Sequence, residues 1–503
     1  MKTQNTIRLF ALLIACLTLI VSLSCCASPN VTNNESDTLA ESIPQMTDNG
    51  SDDSAASSDA PTVDKDGFLL DDIPESVKFP GKEIAILYWS DVENPEFFAE
   101  DANGDIVENA IYSRNAAVEN RLGITFRFDG TPGNNSNNDN YVKRVAASYD
   151  GGDAYDIYSA YSMTTASVAY AGYCENLLKY DAIDFSKPWW PDSLITEATI
   201  NNKLYFCSGD ISTNLLYMMY AVYFNKGMIK SYGLDDPYDC VDNDTWTYET
   251  MFRMANTVAG SHSASNDVYG FVVSSNVHLD PFFYGAGLRT TERDADGNPM
   301  ISPSFGGDLA TTVVGEVWKF LHQDGNSLSD GKTLFPEGQA LFAMDRARFA
   351  SEQMSNSETD FGVVPVPKYS VDQATYSTCM GFPYSLYAIS VGSEQKEAAA
   401  YVLECMASES FRKITPALFE LSMKERYVLD SKSSRMFDII RASVSFDLGR
   451  IFAASLEKVT YSTYRNAFYK DNEPNYTSSY KSIARGLKLD LEALVQKFGS
   501  FEQ

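Results

Sequence analysis

From Phe68 to the C-terminus, short apolar runs that end in polar residues alternate with segments of helical periodicity, and this alternation restricts the fold more than any other feature. Residues 84–89 (IAILYW) read as a buried strand leading into a site. Residues 108–122 place Ile111, Ala117, Val118 and Leu122 at helical spacing and stop at Gly123. Residues 124–128 and 155–161 read as further strands, the latter followed by a helix of small residues over 164–171. Residues 217–224 are strand-like, and 228–232 form a short helix closed by Gly233.

The second half repeats the theme. Thr247 N-caps a helix, with Glu249 in its first turn. Residues 269–275 read as a strand, and 308–322 carry Leu309, Val313, Val317, Phe320 and Leu321 on one helical face. Strands are expected at 340–344, 361–366 and 384–391, a strong helix former at 395–406, and a terminal amphipathic segment at 488–498. Strands and helices alternating at this spacing predict an α/β protein built on a largely parallel sheet. A chain of 503 residues holds more than one such unit.

Charge narrows the partners. With 39 Lys+Arg against 68 Asp+Glu the formal charge is −29, which disfavours nucleic acid and any polybasic grip on anionic lipid. An aromatic content of 13% excludes wholesale disorder. Three histidines (His262, His278, His322) leave little from which to stage His-dependent catalysis or a multi-His metal centre, and no cofactor or metal is expected. Asp294–Asn298 resembles a calcium loop but lacks its full ligand spacing and distal Glu, and an Asp-Gly hairpin turn accounts for it. Residues 101–105 fail the same test, and the glycines at 130–133 and 151–152 precede no GK[ST].

The N-terminus reads as an address. Lys2 and Arg8 precede an apolar run over 9–23, the length of a signal-peptide core and short for a membrane span. It ends in Leu23-Ser24-Cys25-Cys26-Ala27, which resembles a lipobox. Cys26 is the preferred lipidation site, Cys25 the alternative, and ordinary cleavage after Ala27 the competing reading. Residues 27–66 carry nine acids against one base (Lys65) and no aromatic residue, so they read as an extended acidic tether. Beyond the lipobox Cys174, Cys207, Cys240, Cys379 and Cys405 form no CxxC, and both bridges and buried free thiols remain open.

Three passages carry a resemblance. Tyr223-Phe224-Asn225-Lys226-Gly227-Met228 is followed by Gly233-Leu234-Asp235-Asp236-Pro237 and Asp244-Thr245-Trp246-Thr247. Gly338-Gln339-Ala340-Leu341-Phe342-Ala343-Met344-Asp345 comes next, and then Phe361-Gly362-Val363-Val364-Pro365-Val366-Pro367 with the strand and helix after it. In this order, over some 400 residues, they resemble family 1 extracellular solute-binding proteins, the lipid-anchored receptors of ABC importers, commonly for sugars. The stretch Lys187-Pro188-Trp189-Trp190 and the connection over 235–244 depart from the sugar-binding pattern.

The resemblance implies a two-lobed periplasmic-binding-protein-like α/β fold of type II, its lobes joined by a multi-crossing hinge near Tyr223–Asn225 and Cys379–Tyr384. The implied division is a signal peptide (1–25), lipidated Cys and tether (26–66), lobe 1 (67–223), lobe 2 (224–380), a return to lobe 1 (381–415) and a C-terminal helical segment mainly on lobe 2 (416–503). It implies a monomer, held at the extracytoplasmic face of the membrane through its lipid alone. That monomer would capture a small solute, a mono- or oligosaccharide first, and deliver it to ABC permease subunits without catalysis. A polyamine or other non-sugar solute is the alternative ligand, and a surface glycoside hydrolase or adhesin the alternative class.

Loops leaving strands supply the candidate ligand contacts: Trp89 and Asp91 after the first strand, Tyr161 and Ser162 after the third, Asp345 and Arg346 after the Ala-Met strand, and Phe382 and Tyr384 beside the second crossing. Sugars require this mixture of aromatic faces and hydrogen-bonding groups. Core packing competes for each aromatic and helix capping for each aspartate. Trp189 and Trp190 are read either as an exposed platform or as packing beneath the lobe.

Overall fold

The strands divide between two sheets. In the computed structural model the described residues are 62–501, apart from 103, 153–154, 264–266, 324, 419–430, 457–460 and 471. The signal segment, Cys25, Cys26 and nearly all of the tether lie outside them. Strands β1 (Lys82–Trp89), β2 (Ile124–Thr131) and β3 (Ile157–Tyr161) open the first sheet. β4 (Tyr220–Asn225) and β5 (Tyr269–Val273) open the second. β6 (Thr291–Arg293) and β7 (Pro299–Ile301) form a separate hairpin. β8 (Asn326–Ser327), β9 (Ala340–Arg346) and β10 (Phe361–Val364) complete the second sheet, and β11 (Ser385–Ile389) returns to the first.

The first sheet runs β11-β3-β1-β2, with β1, β2 and β3 parallel and β11 antiparallel at the edge. The second runs β10-β4-β9-β5-β8. Its β5, β8 and β9 are parallel, but β4 is antiparallel to both β9 and β10. The largely parallel expectation therefore describes the first sheet, while the second is mixed. Every residue of β4 is buried, and a strand covered on both faces has no alternation to indicate which neighbour it meets or in which direction.

Eight of the helices frame these sheets: α1 (Ile106–Leu122), α2 (Asn138–Gly151), α3 (Ser162–Tyr170), α4 (Tyr248–Ala259), α5 (Asp308–Leu321), α6 (Lys396–Thr415), α7 (Ser431–Ala442) and α8 (Tyr476–Gly499). Local chemistry sets their ends. Asp105 accepts the amides of Val107 and Glu108 while Glu108 reaches back to the Asp105 amide, a reciprocal cap. Gly123 ends α1 at φ 71°, in the left-handed region that glycine enters without a Cβ penalty. Val107, Ile111, Val118 and Leu122 bury one face of α1, which packs against α6. The Asp294–Asn298 turn joins β6 to β7, with the Asp294 carboxylate accepting the amides of Asp296 (3.0 Å) and Asn298 (2.8 Å). The five described cysteines are unpaired and buried.

The chain passes between the sheets in segments that lie side by side. Met219 pairs with Met380 in an antiparallel bridge, flanked by Gly381 N donating to Met218 O (2.7 Å) and Ala347 N donating to Met219 O (2.7 Å). Tyr223–Asn225, expected near this crossing, sits inside β4, and the passage occurs just before that strand, at Met218–Met219. Segment 379–384 runs beside it. At Gly381 an added Cβ would lie 2.8 Å from Arg346 Cδ and 3.4 Å from Met218 O, so only glycine lets these segments approach so closely.

The C-terminal helix α8, expected mainly on lobe 2, also reaches residues of lobe 1 at its end. At its start Tyr476 donates to Phe305 O (2.8 Å) and Thr477 meets Thr311 (3.0 Å) beside α5. At its end Phe498 stands against Tyr170, Tyr205 and Phe452, and Asn201 donates to Val495 O (3.0 Å). A helix of 24 residues rises about 36 Å, enough to reach from one sheet system to the other.

Candidate functional site

The C-terminal ends of β1 and β3 and the ends of β5 and β9 meet the crossing segments along one seam. In open α/β sheets the carboxyl ends of parallel strands are where ligands sit, because loops there converge without covering one another. Residues 446–456 and 461–465 lie against this seam and supply two of its charges, Arg450 and Arg465.

Asp280 is the electrostatic centre. Its carboxylate is fully buried and accepts from Arg465 Nε at 2.7 Å and Arg450 Nη1 at 2.5 Å, with Arg465 Nη2 as a further donor. Burial pushes this carboxyl upward, but the Arg465 and Arg450 guanidiniums outweigh that and hold it below the usual carboxylate value. Arg450 also donates from Nε (3.1 Å) and Nη2 (2.8 Å) to Met380 O on the crossing. Asp447 accepts from Thr290 N (2.8 Å) and Thr291 Oγ1 (3.0 Å) nearby.

Several expected contacts converge here. Phe382 lies beneath Arg450, and its carbonyl accepts from Ser162 Oγ at 2.7 Å, joining the crossing to the start of α3. Tyr384 meets Phe446 edge-on at 5.8 Å. Arg346 is buried beside Gly381, with Nη1 3.6 Å from Met218 Sδ. Asp345 accepts from Ser274 Oγ (3.1 Å) and the Arg346 amide (2.7 Å) and lies 3.1 Å from His278 Nδ1. Burial raises its pKa, and His278 and Arg346 more than reverse the shift. Tyr220, whose ring meets His278 at 5.7 Å, stands between these groups.

Two expectations are corrected. Trp89 has no exposed face: it donates Nε1–H to Ser385 Oγ (2.9 Å) and packs edge-on against Tyr161 at 5.7 Å, so it is core beneath the seam rather than a platform. Asp91 serves the loop after β2, accepting from Gly133 N (2.7 Å), Asn134 N (3.2 Å) and Asn137 Nδ2 (3.1 Å). Both reflect partners distant in sequence, which a local pattern does not register. Tyr161 is also buried, behind Trp89.

Trp189 and Trp190 are packed beneath lobe 1. Both indoles donate to buried Glu404, at 3.1 and 2.9 Å, and burial pushes its carboxyl up to about 8 against these hydrogen bonds. Sequence reading also missed Glu96, which fastens the loop after β1 by accepting from Tyr387 Oη (2.7 Å) and Asn214 Nδ2 (2.7 Å).

No protein-family model matches the chain, and no curated protein matches its sequence. The architecture, however, has solved counterparts. Against the cyclic α-maltosyl-1,6-maltose binding protein of Arthrobacter globiformis the TM-score is 0.56 at 12% identity, over 82% of this chain and 100% of that one. The GacH receptor of Streptomyces glaucescens, solved unliganded and with acarbose, gives 0.53 at 13%, again over 82% and 100%. The fold is that of the two-lobed solute-binding proteins. The ABC substrate-binding protein Lmo0181 of Listeria monocytogenes, solved with cycloalternan, gives 0.51 at 12% over 84% and 100%.

In a solute-binding fold the groups that sequence reading did not reach acquire a common position. Asp280, Arg450 and Arg465 tie lobe 2 and the C-terminal segment to the crossing. Glu93, on the loop after β1, forms an ion pair with Arg348, just beyond β9, and so links the loops of the two sheets. The signal for them lay in no motif; a pair of arginines late in the chain has no meaning until Asp280 is placed between them.

Proposed function

We propose that the protein captures a carbohydrate outside the cytoplasmic membrane and presents it to the permease of an ABC importer by closure of its two lobes. The observation that carries this reading is the seam, where strand ends of both sheets meet the crossing segments and the C-terminal segment, and where aromatic rings, tyrosine hydroxyls and arginine–aspartate pairs come together between hinged lobes. That is the inventory a polyol needs. The sugar ligands of the similar structures support it. Within the seam Arg450 and Arg465 are balanced by Asp280 and Asp447, which favours a neutral solute over a polyamine in spite of the chain's net charge of −29.

Ligand would bridge the lobes, and it shifts the open–closed equilibrium only by binding the closed state more tightly. No bond is made or broken. We further propose that the chain works as a monomer tethered by lipid on Cys26, or on Cys25. No helix among the described residues is long and apolar enough to cross a membrane. Cys26→Ala should release the protein from the membrane; release by Cys25→Ala instead would reassign the anchor. A thermal-shift screen across maltodextrins, cyclic α-glucans and monosaccharides tests the ligand class, since a ligand at 100 times its Kd adds about 2.7 kcal/mol. No shift with any saccharide, and a clear one with spermidine, would overturn the carbohydrate reading.

A further inference from the structure

Among the described residues, two phenol hydroxyls in the seam have no hydrogen-bond partner. Tyr284 is 2% exposed and Tyr464 fully buried, and neither hydroxyl makes a hydrogen bond. Their rings meet edge-on at 6.1 Å, and Tyr464 stacks on Phe283 at 4.4 Å. Arg450 sits 5.4 Å from the Tyr284 ring while covering Phe382. Arg450 and Phe382 also line a small cavity together with Met380 and Tyr384. A buried hydroxyl without a partner costs the folded chain its full desolvation, which is why such groups are rare and call for an explanation.

Neighbouring charges do not supply one. Arg450 and Arg465 are already committed to Asp280 and to Met380 O. What the two phenols lack is an uncharged donor and acceptor, in a place where the adjacent charges cancel. A sugar hydroxyl is both donor and acceptor.

We propose that the Tyr284 and Tyr464 hydroxyls are ligand-contacting groups of the interlobe site, each exchanging a hydrogen bond with a hydroxyl of a neutral saccharide. This rests on the carbohydrate-receptor reading above. It implies that the lobes part to admit the sugar and that closing on an empty site strands both hydroxyls, so closure is linked to occupancy.

The test compares the full chain with its Tyr284→Phe, Tyr464→Phe and Tyr205→Phe forms. Tyr205 also carries a buried, partnerless hydroxyl, but it lies against Phe498 and Phe501 and serves as the control. Calorimetric titration uses maltotriose, maltotetraose and cycloalternan as probes. Tyr284→Phe and Tyr464→Phe should each weaken binding roughly five- to thirtyfold. The ligand-free melting temperature should stay level or rise, because the hydroxyl removed had no partner to lose. Tyr205→Phe should bind as the parent does. Undiminished binding by Tyr284→Phe and Tyr464→Phe would overturn the assignment, as would a fall in their ligand-free melting temperature or an equal loss in Tyr205→Phe. A parent chain that binds none of the probes would bring down the carbohydrate reading itself, and the assignment with it.

Discussion

The guanidinium carbon of Arg450 lies 3.9 Å from the ring centroid of Phe382. Phe382 belongs to the segment linking the two sheets, whereas Arg450 belongs to the C-terminal segment, expected mainly on lobe 2. A cation stacked on a desolvated ring gains about 2 kcal/mol or more, and here Asp280 on lobe 2 neutralises that cation. One arginine thus joins three separate parts of the chain at the hinge.

Asp280→Asn should be strongly destabilising. It leaves Arg450 and Arg465 buried with no carboxylate, and breaking a buried pair by removing one partner typically costs about 3–5 kcal/mol. Denaturant titration measures it. A loss below about 1 kcal/mol would mean that water reaches these arginines in solution.

Glu404 should give the protein a stability that falls as pH rises. Its folded value of about 8 stands above the ordinary 4.5, so between those values the folded chain holds a proton that the unfolded chain has released. Stability then declines across that window, by up to about 1.4 kcal/mol per pH unit, and levels off about one pH unit above 8. Glu197, raised to about 7 chiefly by burial, acts in the same direction and is half deprotonated at pH 7. The slope between pH 7 and 8 therefore comes mainly from Glu404 with a remainder from Glu197, and Glu404→Gln should reduce it to that remainder. Trp189 and Trp190 fluorescence should titrate in the parent over this range and not in the variant.

Trp89→Ala should lose stability, not merely affinity. Truncating a buried aromatic costs about 3–5 kcal/mol, and here the Ser385 hydroxyl loses its donor as well. A melting temperature that stayed put while sugar binding weakened would restore Trp89 to the ligand surface.

The Glu93–Arg348 pair should bias closure without contributing much to stability. With side chains 36% and 11% exposed, such a pair is worth about 0.2–1 kcal/mol. Glu93→Gln should enlarge the radius of gyration of the ligand-free protein in small-angle scattering and weaken sugar binding by at most about fivefold. High salt should reproduce the change in the parent. An unchanged radius in both cases would place the pair outside the closing motion.

What the sequence determined by itself is local. The alternation of strands and helices, the reciprocal cap of Asp105 and Glu108, the stop at Gly123 and the hairpin turn at Asp294–Asn298 each depend on residues a few positions apart, and such spacing is written directly in the chain. Tertiary structure decided the rest. β4 runs antiparallel to β9 because of partners more than a hundred residues away, and its uniformly buried side chains carry no directional signal. Trp89 became core because Ser385, 296 residues further on, accepts its indole N–H. Asp280 meets Arg450 and Arg465 across separations of 170 and 185 residues. A charge becomes part of a site only when a buried counter-charge is brought to it, and folding alone, not spacing, makes that placement.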